Sequence, residues 1–455
     1  MFIFPPEPEI TLYETGFDND ALGREKSGKS LSALLDRIED PLVVALDGRW
    51  GTGKTYFLKR WVGAHQTQND GKALTLYFDA FANDYLSDPL VALVSALADR
   101  IPKDDVPKLM QLKEAASKFV KPLAKIGLNI ATFGATEALN DLGDAVAQAI
   151  NTEAKHIIDD VWRREEGRQQ AMQAFRDALS ALVDGQGEDD ARPLVIVIDE
   201  LDRCRPDYAL EVLEVIKHFF AVPMVHFVLG VNLSALENSV KARYGNGIDA
   251  GAYLQKFISM TYALPDRVGN RHQEIPTVLS YAKQTAQAMK LPKEFEEEIV
   301  DMQLPVVMRR NPVSLRDVGK IFAAVATLPP EALKPNILSG WRAIAASMII
   351  ARVIHRDVFN KMTTAEITED ELVAYFAATP DKICEQLPNG EQNPEFDRST
   401  WCIHGLWRLV ISNGAAQFDG SDFLGKMLGH FGAVRGVRNY SREIMDDWLS
   451  VFHVK

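Results

Sequence analysis

Two apolar rhythms divide the chain. Leu31, Leu34, Leu35 and Ile38 recur three or four residues apart, which predicts a helix over 30–39. PLVVALD (41–47) is instead an unbroken apolar run ending in an acid, the pattern of a strand buried on both faces. The exchange repeats through helical TYFLKRWVGAH, strand-like ALTLYFDAF, a helical pattern from Pro89 to Arg100, strand-like PLVIVIDE (193–200), a helix from Asp207 to Phe220, and MVHFVLGVN (224–232) as a further strand. Strands alternating with helices in this way predict a parallel sheet with helices on its faces. From 102 to 185 the pattern is helical and rich in Ala, Lys and Glu, which predicts an insertion into the sheet domain. Beyond Pro265 no comparable strand pattern occurs; amphipathic helical stretches are broken by Pro, Gly and Asp near 304–312, 328–336 and 388–395.

The longest uncharged stretch, between Lys217 and Glu237, is interrupted by Pro223, two histidines and Asn232 and divides into a helix end and a strand. Ile126–Thr136 is uncharged but far shorter than the roughly 20 residues a membrane helix needs. No transmembrane span is expected, and MFIFPPEPEITLYE lacks the basic start and small-residue cleavage site of a secretory signal. With 455 residues, 47% hydrophobic and 25% charged, the chain can bury large cores in more than one domain. A net charge of −13 makes broad attraction to nucleic acid or anionic lipid unexpected. Cys204, Cys384 and Cys402 show no CxxC spacing, and Cys402 with His404 lacks a second ligand pair, so neither disulfides nor zinc are indicated. A cytoplasmic setting is expected, with peripheral membrane contact left open.

Chemistry begins at GRWGTGKT (48–55), directly after the first strand-like run. Gly48, Gly51 and Gly53 let the backbone turn tightly and aim consecutive N–H groups at phosphate oxygens, with Arg49, Trp50, Thr52 and Tyr56 completing the cradle. Lys54 would reach the β and γ phosphates and the Thr55 hydroxyl would ligate Mg2+. A second string, GREKSGKS (23–30), satisfies the same GxxxxGKS/T pattern, but the polar, acidic TGFDNDAL before it offers no strand edge. It is expected to be a solvated turn leading into the helix. The complementary acids are Asp199, after five apolar residues of LVIVIDE, and Glu200 beside it. Asp199 would hold the Mg2+ shell with Thr55, and Glu200 would orient the attacking water. The next strand ends in Asn232, which is either a γ-phosphate sensor or, with Ser234 as its rival, an ordinary helix cap.

The run IDELDRCRPDYALEVLEVIKHFFAVPMVHFVLGVNLSALENSVKARYG, together with GREKSGKSLSALL, YFDAFANDY and YLQKF, resembles the KAP family of P-loop NTPases over residues 15–330. The resemblance implies a P-loop NTPase core related to AAA+ and STAND ATPases, with ATP and Mg2+ as cofactors. Taken with the helical pattern beyond Pro265, it gives an α/β chain divided into a lead-in and helix at 1–40, a core at 41–265 with the insertion at 102–185, a helical lid at 266–335 and a helical C-terminal domain at 336–455, the last tied to no family pattern. Many family members carry transmembrane helices between the phosphate loop and the acidic strand, where this chain is too polar to span. ATP is also favoured because no NKxD guanine-reading motif is present. Serine-hydrolase and metalloprotease chemistry lack GxSxG and HExxH.

Arg203, Arg205 and Arg243 are the arginines placed to serve as a finger, and Arg316 in RRNPVSLRDVGKIF resembles a second sensor arginine, although exposed charges are commonly plain salt-bridge partners. Three uses of hydrolysis stand open. One is a conformational switch acting through self-association or a protein partner, which the family's link to phage exclusion suggests by analogy. Another is a nucleic-acid-dependent motor, for which KMLGHFGAVRGVRNYSR (426–442) is the best basic stretch. The third is an ATP-holding scaffold, against which the intact Lys54, Thr55, Asp199 and Glu200 argue.

Overall fold

The computed structural model describes residues 1–6, 9–68, 74–86, 89–100, 165–183, 193–218, 222–270, 273–378, 397–412, 429–432 and 439–450. Two compact units result: a sheet unit, Ile10–Asp20 with Arg24–Pro265, and a helical unit, Met1–Glu9 with Ala21–Gly23 and Asp266–Lys455.

In the sheet unit the chain runs α1 (Glu25–Leu35), β1 (Val43–Asp47), α2 (Lys54–Gln68), β2 (Leu74–Asp79), α3 (Pro89–Arg100), α4 (Glu165–Val183), β3 (Leu194–Asp199), α5 (Pro206–His218), β4 (Val225–Val231), α6 (Leu233–Tyr244), α7 (Ala250–Leu254) and β5 (Met260–Ala263). All five strands pair in parallel in the order β2-β3-β4-β1-β5. Every residue of β3 and β4 is buried, because helices cover both faces and leave neither to solvent. Successive side chains point to opposite faces. Val43, Ala45, Ile196, Ile198, Phe227 and Leu229 pack with residues of α3, α4, α5 and α6, whereas Val44, Leu46, Val195, Val197 and Val228 pack with α1 and α2. The result is a three-layer P-loop NTPase core.

Register then fixes the working edge. Asp199 lies opposite Asp79 of β2 and Gly230 of β4, and Asp47 opposite Val231, so the acidic ends of β1, β2 and β3 emerge on one side of the sheet.

The structure departs from the sequence expectations in several places. Residues 25–30 are the first turns of α1, not a solvated turn: Ser27 and Gly28 are buried, and a Cβ on Gly28 would lie 2.3 Å from the Phe17 ring. Gly28 is thus a packing glycine. Of the expected insertion at 102–185, residues 102–164 and 184–185 lie outside the described residues. Its remaining part is α4, whose Phe175, Leu179 and Leu182 belong to the sheet core. β5, which had no strand-like run to announce it, pairs along β1 with only partly covered or exposed residues, as an edge position permits.

Beyond Pro265 the helical unit opens on an antiparallel ribbon, β6 (Arg267–Asn270) with β7 (Gln273–Pro276), strands too short to stand out in the sequence. Helix α8 (Thr277–Met289) follows, then a helical run across 293–307, α9 (Leu315–Ala326), α10 (Ser339–Ile354), α11 (Arg356–Thr363), α12 (Glu369–Tyr375), α13 (Arg398–Ile411) and α14 (Asn439–Glu443). A reciprocal Ser314–Asp317 capping box starts α9. The expected lid and C-terminal domain share one apolar cluster here, from Ala282 through Val318 and Phe322 to Ile350, Trp407 and Leu449. The reason is α10, which is buried without interruption from Ala343 to Ala351 and so needs partners on every side.

Candidate functional site

The glycine loop between β1 and α2 has the conformation its residue types require. Gly51 and Gly53 sit at φ 81° and 82°, in the left-handed region that a side chain would strain. Arg49 and Trp50 are exposed. The loop is closed on itself by Thr52, whose hydroxyl donates to the Arg49 carbonyl at 2.9 Å. Gly48 is anchored to the sheet, its N–H donating to Val231 O at 3.2 Å. Lys54 begins α2 and is 8% exposed. Its ammonium donates to Gly48 O at 2.5 Å and Arg49 O at 3.3 Å. Burial lowers the Lys54 pKa, while Asp202, Asp199 and Asp47 hold it up. Tyr56 is half-buried, with the Arg60 guanidinium 4.8 Å from its ring centroid.

One strand away, Asp199 is 1% exposed at the end of β3. Burial raises its pKa, and hydrogen bonds from Thr55, Tyr77 and the Glu200 N–H oppose the rise. The Tyr77 hydroxyl, reaching across from β2, donates to Asp199 Oδ2 at 2.9 Å, and the Glu200 N–H donates to Oδ1 at 2.9 Å. β4, which separates β3 from β1, makes room by carrying glycine: a Cβ on Gly230 would lie 2.2 Å from Asp199 Oδ1. Glu200 adopts φ 59°, a left-handed conformation that costs a non-glycine residue free energy and recurs at working sites. Its carboxylate pairs with Arg203 at 2.9 Å. Burial raises the Glu200 pKa, with Arg203 acting against it.

The geometry thus brings Lys54 and Thr55 together with Asp199, and Glu200 follows Asp199 on the same strand end. A second tie joins the loop to the acidic segment, for Trp50 Nε1 donates to Asp202 Oδ2 at 2.6 Å. Asn232 is the residue preceding α6, but its side chain makes no capping bond. Capping comes instead from β1, where Asp47 Oδ1 accepts from the Leu233 N–H at 2.9 Å. The other arginines are spread out. Arg243 pairs with Asp207 at 2.6 Å, Arg205 binds Asp84 and its carbonyl, and Arg316 is exposed on α9 of the helical unit. In the basic stretch at 426–442, residues 426–428 and 433–438 lie outside the described residues, as does Cys384.

Sequence reasoning missed two residues. Tyr77 is one; its place two residues before Asp79 puts it opposite Val197, on the same face as Asp199, which only the β2-β3 register reveals. Arg24 is the other, its guanidinium donating to Thr52 O at 2.6 Å and Gly53 O at 2.8 Å.

The loop's φ pattern and the Lys54, Thr55 and Asp199 arrangement fit a nucleotide polyphosphate with Mg2+. Among the described residues no group of three or more His, Cys, Asp or Glu could hold a metal alone. A phosphate-borne Mg2+ asks for only one or two carboxylates. Among the described residues, too, no helix is long and apolar enough to cross a membrane.

The family model of the KAP family P-loop domain matches residues 24–330. No curated protein matches the chain. Among solved structures, the chain is similar to the Aeropyrum pernix ORC2 protein in its ADPNP-ADP complexes, at 15% identity and TM-score 0.32, with 90% of this chain and 96% of that one covered. It is also similar to a Drosophila ORC chain from a complex with poly(dA/dT) DNA and Cdc6, at 10% identity and TM-score 0.35, covering 94% of this chain and 63% of that one.

Proposed function

The chain belongs to the KAP family of P-loop NTPases, and from that premise we propose that it binds Mg-ATP and hydrolyses it, coupling turnover to a switch in conformation or self-association. A cytoplasmic role in phage exclusion or signalling is the biological form of the same reading.

The observation that carries it is the meeting of two sequence-distant halves on one sheet edge: Trp50 of the glycine loop donates to Asp202 Oδ2 at 2.6 Å, three residues past the buried carboxylate of Asp199. Loop N–H groups and the Lys54 ammonium would bind and neutralise the phosphates. Thr55 and Asp199 would hold Mg2+, which when bound would supply positive charge to offset that of the phosphates. Glu200 would orient and polarise water for in-line attack at the γ-phosphate. Its pKa, raised by burial, makes it a better proton acceptor than an exposed glutamate, and the Arg203 pair holds the carboxylate in one rotamer. Asn232, with a side chain not used as a cap, is the γ-phosphate sensor in this reading. Arg243 or Arg316 would supply a finger or second sensor from this chain or a second copy.

The test is phosphate release from ATP by the wild type, Lys54→Ala and Lys29→Ala, with Mg2+, with and without nucleic acid. Lys54→Ala is expected to lose turnover by about a hundredfold or more. Lys29→Ala is expected to stay within about twofold of wild type, as an exposed i,i+4 pair allows. Turnover that vanishes with Lys29→Ala instead would move the site. Stimulation by nucleic acid would replace the switch with a motor, and an inactive wild type that still binds ATP would leave a scaffold.

A further inference from the structure

The second GxxxxGKS/T string takes no phosphate role in the proposed reading, yet its arginine touches the loop that does. Arg24 is 4% exposed at the start of α1. Its two terminal nitrogens reach consecutive loop carbonyls, Nη2 to Thr52 O at 2.6 Å and Nη1 to Gly53 O at 2.8 Å. Its own N–H is held by the Asp20 carboxylate. Two hydrogen bonds from one planar fork fix two neighbouring peptide planes at once.

In a planar trans peptide, the carbonyl and the N–H of the following residue point in opposite directions. The carbonyls of Thr52 and Gly53 belong to the peptides that carry the N–H groups of Gly53 and Lys54. Tying both carbonyls to Arg24 on one side therefore turns both N–H groups to the other, the side of a bound phosphate. The glycine at position 53 leaves that backbone free to rotate, so an external brace has something to hold. A guanidinium stays charged here: burial lowers the Arg24 pKa only to about 10, and the charge adds positive potential behind the loop.

We propose that Arg24 is a positioning residue for the phosphate site, a brace that presets the Gly53 and Lys54 N–H groups toward the β-phosphate of a bound nucleotide. This inference rests on the ATPase reading above and deepens it. A merely structural Arg24, clipping α1 to the rest of the unit, would affect folding but not discriminate between nucleotides by phosphate number.

The discriminating quantity is the ratio of ADP to AMP affinity, read by competition against a fluorescent ADP on the full chain, with melting temperature in parallel. Arg24→Lys keeps the charge but loses the fork; the ratio is expected to fall by about tenfold, equivalent to about 1.4 kcal/mol. Gly28→Ala disturbs the same helix through Phe17 and is expected to lower the melting temperature with the ratio unchanged. If Arg24→Lys does not fold, Asp20→Asn carries the test, with a smaller fall in the same direction. An unchanged ratio in Arg24→Lys, or in Asp20→Asn where that variant carries the test, overturns the brace. An equal fall in Gly28→Ala overturns it too. Should the wild type bind ADP and Lys54→Ala not, the ATPase reading survives either result; a wild type that binds no nucleotide overturns both.

Discussion

The same eight-residue pattern occurs at 23–30 and at 48–55, and corresponding positions meet opposite fates. Gly53 takes φ 82° in a loop; Gly28 lies within α1 and serves close packing against Phe17. Lys54 is buried and bonded to the loop carbonyls, whereas Lys29 is exposed and pairs with Glu25 at 2.6 Å. Arg49 is exposed, and Arg24 is buried against the other string's backbone. What separates them is the preceding chain. β1 delivers Gly48 to the sheet edge with its N–H bonded to Val231 O, so the next residues must turn over open space. Before Gly23 no strand occurs among the described residues, and the residues from Glu25 onward close their own helical hydrogen bonds. On the proposed reading, the phosphate loop of this chain is a strand end that carries glycines, not a string of letters.

That contrast can be tested by degrees. The largest effect beyond the loop itself is expected at its partner strand: Glu200→Gln should retain ATP binding while phosphate release falls by about 100- to 10,000-fold, the range for removing a general base. Loss of binding together with turnover would mean that Glu200 serves the fold and not the reaction. Next comes Tyr77→Phe, which removes the hydroxyl that orients Asp199. The Mg2+ concentration for half-maximal turnover should rise by about tenfold, as for other groups that orient metal ligands. An unchanged Mg2+ titration would show that Thr55 and the Glu200 N–H suffice.

On the side of the first string the expected effects concern stability. Gly28→Ala should lower unfolding free energy by about 1–3 kcal/mol through overpacking against Phe17, measured by urea denaturation, with turnover per folded molecule preserved. If turnover per folded molecule collapsed, the two strings would be more tightly coupled than the Arg24 brace alone implies. A smaller, graded effect is expected with pH. Helix α1 packs on α2 through Trp61 Nε1, which donates to Gly28 O and Ser32 Oγ at 3.1 Å, and through His65, whose Nδ1 lies 2.9 Å from Ser32 Oγ. Burial lowers the pKa of His65 and of His226 on β4 to about 4. Below the ordinary histidine value of 6.5 the unfolded chain takes up protons that the folded chain refuses, so this stability is complete above that pH and is lost as pH falls toward 4. Denaturation midpoints measured across that window should fall with pH, and by less in a His65→Gln, His226→Gln double variant.

The amino-acid order determined much by itself. Buried parallel strands were legible as LVVALD, LVIVID and VHFVLGV because a strand covered on both faces admits almost nothing polar. The glycine loop with Lys54 and Thr55 was legible because an apolar, strand-like run leads into it, and the acids were legible because they follow LVIVI. Tertiary structure alone decided which residues face one another. Tyr77 meets Asp199 only through the β2-β3 register, and Asp47 caps α6 only because β1 lies beside β4. Arg24 reaches Thr52 and Gly53 across an intervening strand, and described residues of 266–335 and 336–450 share one core because α10 is buried on every side from Ala343 to Ala351. Local pattern fixes what an element buries; the pairing of elements, set by the sum of many long-range contacts, fixes what stands opposite, and no short window of sequence contains that information.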